Sequence, residues 1–176
     1  MTKKRKVIPV YVSLIFLLTS LSHSLEKLPF ENLVIHKKPI TYENIQFEDI
    51  DGNLINLNNK KNNLIILNFW TVWCAPCKEE MPYLDTLSIN KKINNLKIFP
   101  INLEKKNLFK AKKFFEDLKI NNLSIFFDTE LKLVKRLALR GVPTTIFIDR
   151  KGREFARIIG LIDFSDEKFV NWLSKY

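Results

Sequence analysis

The apolar run Leu64 to Trp70, followed after three residues by Cys74 and Cys77 and then by a helical pattern, restricts the fold of this chain more than any other feature. A segment apolar at nearly every position suits a strand buried on both faces of a sheet. The segment Trp73-Cys74-Ala75-Pro76-Cys77 then falls where that strand hands over to a helix N-terminus. There the positive end of the helix macrodipole and the unpaired backbone N–H groups favour a thiolate over a thiol, and the thiolate is the species that attacks a disulfide. These are the chain's only two cysteines. Three plainer uses compete: a structural disulfide, half of a zinc site, or two idle thiols. A disulfide across so tight a loop constrains little chain entropy. A zinc site of the usual kind needs two more ligands, and the only histidines, His23 and His36, lie near the N-terminus. Thiol-disulfide exchange is therefore the leading reading.

The N-terminus speaks to compartment. Lys3, Lys4, Arg5 and Lys6 precede the apolar stretch Val7 to Leu21, and Ser20, Ser22 and Ser24 close it. Cations, then apolar residues, then small polar ones is the order of an export signal. The stretch is shorter than the roughly 20 residues that span a bilayer, although continuing through Leu25 brings it close. Residues 1–24 are thus expected to be a signal peptide or a membrane anchor, with the basic flank cytoplasmic. No cysteine follows that could carry a lipid. Export suits the dithiol: in an oxidising compartment it tends to oxidise, so a reductase working there needs an electron supply. The formal charge of +10 comes partly from that first cluster, and the other lysines are scattered among Asn and Ile. Such a spread reads as a solvated face, not a nucleic-acid site.

At 176 residues the chain fits one domain plus an extension. Residues 25–40, with Pro29 and Pro39, read as a linker, and residues 41–176 as the domain. Ile45, Phe47 and Ile50 before Asp51-Gly52, with Leu54, Ile55 and Leu57 after it, predict a β-hairpin. Further on, periodicity predicts a helix over 78–87 interrupted by Pro82, a strand over 96–103, a helix over 104–118 and a short strand over 124–127. A helix carrying Leu131, Val134, Leu137 and Ala138 follows, stopped by Gly141. Strands over 144–148 and 154–159, joined by a turn at Arg150-Lys151-Gly152, lead to a closing helix over 166–176. The order predicts an α/β fold with a mixed central sheet flanked by helices on both faces.

The run Leu67-Asn68-Phe69-Trp70-Thr71-Val72-Trp73-Cys74-Ala75-Pro76-Cys77-Lys78-Glu79-Glu80-Met81-Pro82, followed much later by Gly141-Val142-Pro143-Thr144-Thr145 and Phe147-Ile148-Asp149, resembles the TlpA/ResA-like branch of the thioredoxin superfamily. The resemblance covers about Ile45 to Trp172 and implies a thioredoxin-like fold preceded by a β-hairpin extension. It implies a cis Val142-Pro143 bond set against the dithiol, with the Val142 backbone open to strand-like pairing with a substrate chain. Cys74, expected to be exposed, would attack a partner's disulfide and Cys77 would resolve the mixed disulfide. Thioredoxins proper carry a buried Asp where Asn68 stands, and Asn68 cannot act as a base. Glu80 matches the glutamate of the TlpA/ResA-like pattern; three residues beyond Cys77, it returns near the same helix face and could exchange the Cys77 proton. Trp73 matches the family's exposed aromatic and offers a contact surface, Pro76 stiffens the loop, and Trp70 is expected in the core.

By resemblance, the chain would be a protein-disulfide reductase with no cofactor, at the periplasmic face of a bacterial inner membrane if anchored or in the soluble periplasm if the signal is cleaved. Its partners would be apocytochrome c or copper-assembly proteins, and its electrons would come from a membrane thiol transporter of the DsbD or CcdA type. Two other functions compete. A copper(I) chaperone would use the cysteines as soft ligands, but related copper proteins of this fold use a wider cysteine pair plus a distant histidine, and no histidine follows His36. A thiol peroxidase is suggested by Thr71-Val72-Trp73-Cys74, but the chain offers no distant resolving cysteine.

Overall fold

Every residue of Leu64–Trp70 is buried, because this strand lies inside a sheet that is covered on both sides. The structure is a computed structural model and describes residues 30–176; the predicted signal or anchor segment and the first part of the predicted linker lie outside the described residues. In chain order the strands are β1 (Leu33–Thr41), β2 (Gln46–Glu48), β3 (Leu54–Asn56), β4 (Leu64–Trp70), β5 (Leu96–Asn102), β6 (Phe126–Phe127), β7 (Thr144–Ile148) and β8 (Arg153–Ile159). The helices are α1 (Ala75–Ser88), α2 (Leu108–Asp117), α3 (Lys132–Arg136) and α4 (Glu167–Leu173).

The strands form one sheet in the order β1-β8-β7-β4-β5-β6-β2-β3. β4 runs parallel to β5 and β5 to β6, while the other pairs are antiparallel. The mixed sheet and flanking helices are those expected of a thioredoxin-like fold. Alternation along β4 divides the core: Leu64, Ile66 and Trp70 join the cluster built with α1, α2 and α4, whereas Ile65, Leu67 and Phe69 face the cluster that holds Leu133, Leu137 and Phe47. Trp70 is fully buried against Phe114 and Phe115 of α2.

Three sequence expectations need correction. Residues 33–40, read as linker, form most of β1, an edge strand paired with β8, so the folded body begins well before residue 41. β1 is mostly exposed, so its residues lack the apolar alternation that marks a half-buried strand. Besides the ladder to β8 and the buried Leu33, a polar cluster attaches it. The buried Glu154 carboxylate of β8 accepts from His36 Nε2 at 2.6 Å, Tyr42 Oη at 2.9 Å, and Arg157 Nε and Nη2 at 2.6 and 2.8 Å. Second, α2 starts at Leu108, not residue 104, because Asn107 caps it by accepting from Lys110 N–H. Third, α3 ends at Arg136, with Leu137 as its C-cap and Ala138 at φ 50°, so the left-handed residue that ends the helix is not Gly141. The predicted hairpin is present as β2 and β3, its turn tied by Asp49 Oδ1, which accepts from the Asp51 and Asn53 amides. It pairs through β6 and extends the sheet at the edge opposite β1.

Candidate active site

β4 ends at Trp70 and the chain turns through Thr71 to Trp73 into α1, whose N-cap is Cys74. This loop is held from two sides: Val72 N–H donates to Glu104 Oε2 at 2.7 Å, and Cys74 N–H to Thr71 O at 3.3 Å. Pro76 lies in the first turn, where the missing N–H costs nothing. Cys77 N–H donates to Cys74 Sγ at 3.2 Å, so the Cys74 sulfur sits where a helix N-terminus stabilises negative charge. Cys74 and Cys77 are joined in a disulfide with their Cα atoms 5.3 Å apart.

Cys74 is only 4% exposed, contrary to the expectation of an exposed sulfur. With the S–S bond closed, the Cys74 sulfur is turned toward Cys77, which is itself fully buried. Trp73, by contrast, is 69% exposed immediately before the disulfide.

The Val142–Pro143 bond is cis. Thr144 opens β7 opposite Phe69 near the end of β4, and Pro143 O accepts from Gly160 N–H at 2.9 Å just past β8. The 141–143 loop therefore lies at the end of the sheet from which the cysteine loop leaves. Half-buried Val142 packs against the core cluster that contains both cysteines.

Glu80 is fully buried on α1, three residues beyond Cys77. Burial pushes its carboxyl up to about 8, although a hydrogen bond from Asn68 and, more weakly, the Ile162 backbone N–H favour the carboxylate. Asn68 Nδ2 donates to Glu80 Oε1 at 2.7 Å and to Thr145 Oγ1 at 2.9 Å. Glu80 Oε2 and Asn68 Oδ1 are buried without a hydrogen-bond partner. A buried carboxyl that titrates near neutrality beside a dithiol can take and return a proton.

Of the residues singled out in the sequence, Cys74, Cys77, Glu80, Trp73 and Pro76 share one loop and helix, while Val142 and Pro143 reach the same end of the sheet from another strand. From the sequence Asn68 stands out only as a residue unable to act as a base, Thr145 only as part of the motif after Pro143, and Glu104 not at all as a site residue. A single polar residue inside an otherwise apolar buried strand was the available signal for Asn68. Thr145 becomes visible only through its register opposite Asn68.

A family model described as AhpC/TSA matches residues 41–153. The thiol-disulfide oxidoreductase ResA of Bacillus cereus is 29% identical over 134 residues, covering 75% of this chain and 74% of that protein. Bacillus subtilis ResA is 25% identical, covering 91% and 88%. Among solved structures, StoA from Bacillus subtilis superposes with a TM-score of 0.60 at 27% identity over 72% of this chain and 93% of its own. A secreted thiol-disulfide isomerase from Corynebacterium glutamicum shares the fold, with a TM-score of 0.69 at 21% identity, covering 82% and 93%.

Proposed function

This chain belongs to the AhpC/TSA family, in which it is a ResA-like thiol-disulfide oxidoreductase, and from that premise we propose that it reduces disulfides of partner proteins outside the cytoplasm. The reduced enzyme begins as a Cys74 thiolate and a Cys77 thiol. Cys74 attacks one sulfur of a partner disulfide, forming a mixed disulfide and releasing the partner's first thiolate. Glu80 Oε2 takes the Cys77 proton, and the Cys77 thiolate attacks Cys74 Sγ. The partner's second thiolate leaves and the Cys74–Cys77 disulfide closes. Two electrons have passed to the partner, and the protons that complete its two thiols come from Glu80 and solvent.

Trp73 and the Val142 backbone beside cis-Pro143 are the contact surface for the partner chain, and Pro76 keeps the cysteine loop rigid. Residues 1–24 export or anchor the protein, and a membrane thiol transporter of the DsbD or CcdA type reduces it again. Partners of the cytochrome c or copper-centre assembly class fit a reductant kept in an oxidising compartment. The observation that carries this reading is a disulfide at a helix N-cap with a buried carboxyl one turn further along the same helix.

The test is a Cys77→Ser variant, which stalls after the first attack. Exported disulfide proteins should accumulate on Cys74 as mixed disulfides and be identified by mass spectrometry. If Cys74 of this variant captures no protein disulfide, the reading fails.

A further inference from the structure

Asn68 is the one polar residue in β4, and it is fully buried. Burying an amide is unfavourable unless its hydrogen bonds are made. Its two N–H bonds are both used, one on Glu80 Oε1 and one on Thr145 Oγ1. Thr145 is the direct register partner of Asn68 on the adjacent strand β7, so the two side chains stand side by side on the sheet face that α1 covers. With Glu80 ionised, this fixes the polarity of the amide: turning it over would set Asn68 Oδ1 against Glu80 Oε1, acceptor against acceptor, and lose that hydrogen bond, while the Thr145 hydroxyl, which donates as well as accepts, could keep its own.

The consequence falls on Glu80. With Oε1 held by Asn68, Oε2 is the oxygen left free to exchange a proton, and it has no other hydrogen-bond partner. The groups that act on this carboxyl among the described residues are Asn68 on β4, backed by Thr145 on β7, and the Ile162 backbone N–H beyond β8, and no charged side chain contributes to its titration; Cys77 precedes it by three residues on the same helix. An apolar side chain at position 68 would leave Glu80 without a side-chain donor, and an Asp would set two carboxyls in contact.

We propose that Asn68, oriented by Thr145, is a positioning residue for Glu80: it holds the carboxyl one helical turn beyond Cys77, leaves Oε2 free for the proton, and sets how readily the carboxylate forms. The inference rests on the reading of Glu80 as the proton carrier for Cys77.

The test follows Cys77 directly. Ellman's reagent converts Cys74 of the reduced protein to a mixed disulfide, and the release of the second thionitrobenzoate reports Cys77 attack, which is measured by stopped flow across pH. Asn68→Ala removes the donor that favours the carboxylate, so the midpoint of the profile should move upward by about one pH unit or more, with Cys77 attack about tenfold slower at pH 7. Thr145→Val should move it the same way by less, and Thr145→Ser should return it toward the wild-type position. In a Glu80→Gln background, Asn68→Ala should cause no further movement of the midpoint. An unmoved profile for Asn68→Ala, or an equal movement in the Glu80→Gln background, would overturn the inference. Should Asn68→Ala fail to fold, Thr145→Val carries the same comparison. If the wild-type profile holds but Cys77→Ser captures no protein partner, the proposed function fails and the role of Asn68 stands apart from it.

Discussion

Replacing Glu80 by glutamine should stabilise the oxidised protein, and by an amount that grows with pH. The unfolded carboxyl titrates near its ordinary value of 4.5, whereas burial in the native protein raises it to about 8. Because the native value is the higher one, the stabilisation from burying a neutral acid is complete below pH 4.5. It drains away as pH rises toward 8, as the unfolded chain ionises and the native chain does not, and above pH 8 the loss levels off. At about 1.4 kcal/mol per pH unit, the wild-type protein gives up about 1 kcal/mol by pH 5, about 3 kcal/mol by pH 7 and about 4 kcal/mol by pH 8 relative to its acid limit. Glutamine stays neutral throughout and can still accept from Asn68. Any difference in its packing adds a pH-independent offset, and the other titrating groups cancel in the comparison. The assay is urea unfolding without reductant, followed by tryptophan fluorescence, on both proteins at pH 5, 7 and 8.5. The gap in favour of Glu80→Gln should widen by about 2 kcal/mol between pH 5 and 7. A gap that stays constant across this range would refute the reasoning, since it would mean that Glu80 is ionised in the folded protein at acid pH.

Two more outcomes follow from burial and contact. Glu154→Ala takes away the counter-charge of the Arg157 guanidinium, leaving it the Leu137 carbonyl and the Tyr42 hydroxyl, and removes the acceptor shared by His36 and Tyr42; it should cost about 3 kcal/mol in urea unfolding, and a loss under about 1 kcal/mol would show that the cluster does not anchor β1. Trp73→Ala should change stability by less than about 0.5 kcal/mol, because the ring is mostly in solvent. It should slow reduction of a protein disulfide more than that of a small aromatic disulfide, and equal slowing of both would remove Trp73 from the partner contact.

The elements that carried their own periodicity were legible. β4 has the predicted bounds, and β7 and the hairpin are where the apolar pattern and turn residues put them. The dithiol at the helix start was legible from the motif and the resemblance together, the cis-Pro loop from the resemblance alone. What stayed hidden was long-range and polar. β1 is tied to β8 by a carboxylate on residue 154 that bonds to side chains more than a hundred positions away, and no local pattern encodes such a contact. The burial of Glu80 was also invisible, because it follows Lys78 and Glu79 in a charged run, and only the packing of α1 against the sheet turns it inward. Asn68 and Thr145 meet only through strand register.

If residues 1–24 anchor the protein, as proposed above, the edge strand also determines how far the molecule could stray from a lipid bilayer. Phe30 packs on Phe169, and Asn32 Nδ2 donates to the Ile159 and Leu161 carbonyls, so the fold grips the chain from residue 30 onward. For a protein held by residues 1–24, the leash shrinks to residues 25–29, which reach at most about 18 Å when fully stretched. Leu33 lies opposite Ile158, at the same rim of the sheet as Gly160 and cis-Pro143. Such a leash would keep the disulfide within a short distance of the headgroups, favouring clients embedded in or resting on the membrane over those diffusing freely beyond it.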